Sequence, residues 1–78
     1  MTSASTIDTS FVVCIHNKEY PAALELRKIY QVVPDGQAIQ QHLLRVIDES
    51  GEDYLYPEAY FLPVDLPQVV KDALLRAA

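Results

Sequence analysis

Hydrophobic and polar positions alternate with a period of two over much of the chain, the spacing of side chains on half-buried strands. Phe11-Val12-Val13-Cys14-Ile15-His16 is the first such run, with Phe11, Val13 and Ile15 on one face and Val12, Cys14 and His16 on the other. The Phe11 face reads as core. Lys28 to Val33 is the second strand and ends at the turn cluster Pro34-Asp35-Gly36, where Pro presets the backbone and Gly relaxes it. Asp35 is placed to cap a short helical turn through Gln37 to Gln41, which His42 ends. Leu43 to Pro57 then reads as two strands closed by a tight acidic turn, the hairpin around which the rest of the chain is arranged.

With Ser50-Gly51 at its tip, the hairpin sets Asp48 opposite Asp53, Ile47 opposite Tyr54, Val46 opposite Leu55 and Arg45 opposite Tyr56. One face carries Leu44, Val46 and Leu55; the other carries Leu43, Arg45, Ile47, Tyr54 and Tyr56, where the Arg45 guanidinium can lie across the Tyr56 ring. Both faces are partly apolar, so the pattern leaves open which is inside. Asn17 to Arg27 is expected to be a long loop, because Pro21 keeps Tyr20 extended and the segment is short. Beyond the hairpin, Pro57 to Tyr60 predicts one tight helical turn, and Phe61 to Val64 a short strand that Pro63 confines to a sheet edge. Asp65 followed by Gln68 has the form of a helix cap with its reciprocal partner, opening a C-terminal helix over 66–77. Its apolar stripe of Leu66, Val69, Val70, Ala73, Leu74 and Ala77 is expected to cover an open end or edge of the sheet, or else a partner.

Length narrows this picture to one domain. A chain of 78 residues has a single modest core, burying only roughly 60% of its unfolded surface. Residues 1–10 are polar and poor in large side chains, so they are expected to form a flexible arm ahead of a domain spanning 11–78. The single Cys14 excludes an internal disulfide framework, which fits a reducing compartment, and the cytoplasm is the expected location. No apolar run has the length of a membrane span, and the first residues lack the basic and apolar regions of an export signal. The net charge of -5 repels a phosphate backbone, which makes nucleic acid an unfavourable partner.

The order of elements is strand, long loop, strand, short loop, strand, tight hairpin, strand, single helical turn, strand. It resembles the Src-homology-3-like small barrel, and Tyr56-Pro57-Glu58-Ala59-Tyr60-Phe61 resembles that family's hydrophobic-Pro-x-x-Tyr-hydrophobic segment. The run from Arg45 to Pro57 is also similar to small bacterial proteins of this barrel type that have no assigned activity. The fold expected is therefore mainly β, a small five-stranded Src-homology-3-like barrel with a C-terminal α-helix, and the second likeness implies a bacterial source. The resemblance further implies that Pro57 and Tyr60 stand where the family forms its peptide groove, with Tyr20 in the long loop as an added aromatic wall. The chain has no Trp and lacks the aromatic-rich motif that opens the family's long loop, which argues against proline-rich ligands.

Candidate chemistry is sparse. Asp48, Glu49, Glu52 and Asp53 crowd one turn and form the one cluster suited to a hard cation, but the ligand spacing of a calcium loop is missing and solvated turns are commonly acidic. Cys14 and His16 with a distant His42 do not meet the paired spacing of structural zinc sites, and Cys14 reads as a small buried hydrophobe. No phosphate loop, nucleophile elbow or zinc-protease run occurs, so no enzyme, metal or cofactor is expected. Among the tyrosines, Tyr30 and one of Tyr54 or Tyr56 are expected in the core. Tyr20, Tyr56, Pro57 and Tyr60 are expected to form an amphipathic patch that binds another protein, as an interaction module or accessory subunit. Single-stranded nucleic acid held by Lys18, Arg27, Lys28 and Arg45 beside the tyrosines is the alternative, and cation binding at the acidic turn a weaker one.

Overall fold

The computed structural model describes residues 10–77. The flexible arm expected over 1–10 lies outside the described residues except for Ser10, which opens the first strand. The strands are β1 (Ser10–Cys14), β2 (Ile29–Val33), β3 (Leu43–Ile47), β4 (Asp53–Pro57) and β5 (Phe61–Val64). A short helix α1 (Gly36–Gln40) joins β2 to β3, a 3-10 turn (Glu58–Tyr60) joins β4 to β5, and helix α2 (Gln68–Arg76) follows. The strands form one antiparallel sheet in the order β4-β3-β2-β1-β5. The protein is thus mainly β with a C-terminal helix. The sheet is open: β4 and β5 are its two edges and do not pair with each other.

Several elements form where the residues place them. Asp35 caps α1, its Oδ1 accepting from the Gln37 and Ala38 amides at 3.1 Å, which satisfies two otherwise orphaned donors of the first turn. Residues 15–28 are a loop, pinned by Leu24, whose side chain is fully buried and whose carbonyl accepts from Asn17 Nδ2 at 2.8 Å. Pro63 sits on the edge strand β5, and Tyr30, Tyr56 and Cys14 are all in the core.

The hairpin register differs from the expected one by a residue. Leu44 faces Tyr56, Arg45 faces Leu55, Val46 faces Tyr54 and Ile47 faces Asp53. The cause is turn chemistry. Asp48 Oδ1 accepts from the Ser50 amide at 2.9 Å, the Gly51 amide donates to the Asp48 carbonyl, and Gly51 takes φ 87, a left-handed conformation that Gly adopts without strain. The Asp48 amide then donates to the Glu52 carbonyl, so Glu49, Ser50 and Gly51 form a three-residue loop instead of a tip at Ser50-Gly51. Tyr54 and Tyr56 consequently share the face of Val46, and Arg45 lies on the other. Arg45 does not stack on Tyr56; it bonds Asp35 and Asp53, each at 2.9 Å.

Three further expectations are corrected. In β1 the core face is Val12 and Cys14, not Phe11, Val13 and Ile15; Phe11 is buried as well, on the opposite side, and Ile15 lies beyond the strand and is exposed. The helix spans Gln68–Arg76 instead of 66–77, because Pro67 keeps the preceding residue extended. Pro67 occupies the cap position, no side chain caps the helix, and Gln68 Nε2 donates along the helix to Asp72 Oδ1 at 2.9 Å. No residue of α2 is buried, and Val69 is 71% exposed. Leu74 of the helix lines an open groove with Phe11, Ile29 and Ile47 of the sheet.

The core cluster joins Val12, Cys14, Leu24, Tyr30, Val46, Tyr56, Tyr60 and Phe61. Leu24 brings the long loop into that cluster, so Leu24→Ala should lower stability by about 2–5 kcal/mol in urea unfolding. A loss below half a kcal/mol, on the order of a surface substitution, would show that the loop is not anchored there.

Candidate functional site

Of the four residues expected to form a binding patch, Tyr20, Tyr56 and Tyr60 bring their rings together. The Tyr20 ring, carried by the long loop, meets Tyr56 edge-on at 5.0 Å and Tyr60 at 6.1 Å, and Pro57 separates Tyr56 from the 3-10 turn that ends in Tyr60. The patch is deeper than expected. Tyr56 is 1% exposed and Tyr60 8%, so both are core side chains, while Tyr20 and Pro57 are half-buried and reach the surface. The register adds one member: Tyr54, 57% exposed, lies 5.3 Å from Tyr56. At the other end the His16 ring is 4.7 Å from Tyr60. An aromatic run therefore extends from Tyr54 through Tyr56, Tyr20 and Tyr60 to His16. Beside it, a groove of about 340 Å³ is lined by Tyr20, Arg45, Asp53, Tyr54 and Leu55.

Each buried tyrosine hydroxyl ends on a carboxylate. Tyr56 donates to Asp48 Oδ2 at 2.6 Å, Tyr30 to Glu49 Oε2 at 2.5 Å, and Tyr60 to Glu19 Oε1. Burying a hydroxyl without a partner is costly, and a carboxylate acceptor answers that cost with a charge-assisted bond. The Glu19 carboxylate, together with burial, pushes the Tyr60 phenol up to about 12. Burial, reinforced by the neighbouring carboxylates, pushes Tyr30 and Tyr56 further up.

The carboxylates respond in the opposite direction. Burial alone would raise Asp48, but bonds from Ser50 and Tyr56 outweigh it and hold the group below its ordinary value of 3.8. Glu49 is held below 4.5 by the Lys28 ammonium, which it meets at 2.5 Å, and by the Tyr30 hydroxyl. The acidic turn is therefore not merely solvated: two of its carboxylates are tied to core tyrosines, and Asp53 is tied to Arg45. Among the described residues, no three His, Cys, Asp or Glu side chains converge as metal ligands.

The basic strip offered for nucleic acid is divided in the same way. Lys28 pairs with Glu49 and sits 5.7 Å from the Tyr30 ring centre, and Arg45 is held between Asp35 and Asp53. Two of its four cations are thus committed within the chain. Cys14 is a buried thiol whose Sγ donates weakly to the His16 carbonyl.

Sequence reasoning passed over Tyr54 and Glu19. Tyr54 was visible as an exposed aromatic only once the turn fixed its face, and Glu19 pairs with Tyr60 across a separation of 41 residues. Compared with family models, curated proteins and solved structures, the chain matches none. Among the described residues no helix is long and apolar enough to cross a membrane.

The paired shifts set a pH window for stability. Asp48 and Glu49 are depressed in the folded chain, so their contribution is present above the unfolded values of 3.8 and 4.5 and is lost as pH falls through the folded ones. Tyr60 is raised, so its contribution is present below the unfolded value of 10.0 and is lost as pH rises towards about 12. Thermal melts should show a plateau between these limits. Phenolate absorbance in the folded protein should show Tyr60 ionising near 12, and Glu19→Gln should bring that step down towards 10.0; a step that does not move on that substitution would contradict the Glu19 bond.

Proposed function

We propose that the protein is a non-enzymatic interaction module, an Src-homology-3-like small barrel that binds another protein through the surface where Tyr20 and Pro57 emerge beside Tyr54. Tyr56 and Tyr60 form the floor of this surface and fix its shape. The observation that carries the reading is the continuous aromatic run, exposed at Tyr54 and bordered by the groove at Tyr20 and Leu55. Aromatic side chains with an apolar body and a polar tip are the commonest anchors of protein interfaces, because they supply area at low entropic cost.

The barrel reading draws support from connectivity. The first strand lies between the second and the last, the first connection is the long one, and a 3-10 turn precedes the last strand. The reading of the protein as a bacterial, cytoplasmic accessory subunit rests on the local likeness of the Arg45 to Pro57 run and on the unpaired thiol of Cys14.

The test uses Tyr20→Ala, with Tyr54→Ser as a second variant on the same surface. Partners captured from native lysate by wild-type protein should be lost or weakened at least about tenfold by both substitutions, with the far-ultraviolet spectrum unchanged. Identical partner sets and affinities for all three proteins would remove the surface from consideration.

A further inference from the structure

The two edges of the open sheet are chemically unequal. In an antiparallel ladder, residues alternate between those whose backbone groups point at the neighbouring strand and those whose groups point away. The Asp48 amide donates to the Glu52 carbonyl and the Glu58 amide to the His42 carbonyl, so on β4 the even-numbered residues face β3. Asp53, Leu55 and Pro57 therefore point outward, and the edge presents the amides of Asp53 and Leu55 with the carbonyls of all three. No hydrogen bond to these outward groups occurs among the described residues.

On β5 the Ile15 amide donates to the Tyr60 carbonyl, which leaves Phe61 and Pro63 pointing outward. The Phe61 amide is taken by the Glu58 carbonyl, and Pro63 has no amide. That edge has no donor to offer. Proline is a common device for blocking strand addition, and β4 has it only at its end, at Pro57.

We infer that β4 is a pairing edge, and that its occupant is β4 of a second copy of this chain, antiparallel about a twofold axis at Leu55. In this register the Leu55 amide donates to the carbonyl of the partner's Leu55, and the Asp53 amide to the carbonyl of the partner's Pro57, each repeated by symmetry. Every outward amide of both edges is then satisfied, and the missing amide of Pro57 leaves only the Asp53 carbonyl unmatched. Side chains fit the same register. Tyr54, 57% exposed in the single chain, comes to the seam opposite the partner's buried Tyr56. By symmetry the partner's Tyr54 stands opposite Tyr56, on the side where Tyr20 packs and the groove lies.

Within the paired strands no like charges meet, although just outside them the register brings Glu52 opposite the partner's Glu58, so added salt should strengthen the dimer. Asp53 meets the partner's Pro57 instead of a second carboxylate, and its own charge is held by Arg45 at 2.9 Å. A symmetric interface requires a surface complementary to itself, and this edge meets that condition through its backbone. The inference depends on backbone groups of β4, and because the dimer also draws on Tyr54 and Pro57, self-pairing and the proposed binding of another protein compete for this edge.

Sedimentation equilibrium of the full chain, up to millimolar concentration, tests it. Wild-type protein should move from 8.8 kDa towards twice that mass as concentration rises. Leu55→Lys, which sets like charges opposite each other at the axis, should weaken the dimer at least about tenfold with an unchanged circular dichroism spectrum. In wild-type protein, hydrogen exchange at the Asp53 and Leu55 amides should slow about tenfold or more with increasing concentration, a readout that needs no variant. A monomer at every concentration, or fast exchange at both amides throughout, would overturn the inference. So would a dimer that survives Leu55→Lys and is lost in Val69→Asp, which would place the contact on α2.

Discussion

The bond from the Tyr56 hydroxyl to Asp48 is the contact on which the arrangement of the chain depends. The Tyr56 ring lies among Tyr20, Tyr54 and Phe61 in the centre of the core, and its hydroxyl reaches the first residue of the hairpin turn at 2.6 Å. A chain with no Trp must fill a small core with tyrosine, and each buried ring then brings a hydroxyl that needs an acceptor. The same solution recurs at Tyr30 with Glu49 and at Tyr60 with Glu19. Two of these bonds hold the hairpin turn and the third holds the long loop, so loops that would otherwise be loosely attached are fastened to the core. The excess of carboxylates in the chain is in part a supply of acceptors for its tyrosines.

An open sheet of five strands leaves two edges to be managed. On one side a proline and the 3-10 turn remove every outward donor. On the other, the donors of Asp53 and Leu55 stand beside an exposed tyrosine and a groove. The aromatic surface and the competent edge thus lie together at β4. The hairpin positions both, since its register sends Tyr54 and Tyr56 to one face and the Leu55 amide to the outside.

Much of this was legible in the residues, and the parts that were not have identifiable causes. Asp35 announced its helix, Pro63 its edge position, and the Leu43 to Pro57 run its hairpin, because each signal is local. The register was not legible from the dipeptide Ser50-Gly51 alone: the Asp48 side chain sets the loop length, and a slip of one residue moves both tyrosines across the sheet. In β1, Phe11-Val12-Val13-Cys14 is apolar on both sides, so periodicity could not choose between faces that are both partly covered. Asp65 resembled a helix cap, but Pro67 delays the helix past its reach. The rings of Tyr20, Tyr56 and Tyr60 lie together, yet their depth could not be read, because the carboxylates that permit burial of Tyr56 and Tyr60 lie in other segments.

A double-mutant cycle between Tyr56→Phe and Asp48→Asn, read by urea unfolding, tests the central claim most directly. If the hydroxyl-carboxylate bond fastens the turn to the core, the two substitutions should couple by about 1 kcal/mol or more, the double variant losing less than the sum of the singles. Additive losses, with coupling near zero, would contradict the account and return the acidic turn to the role of a solvated loop.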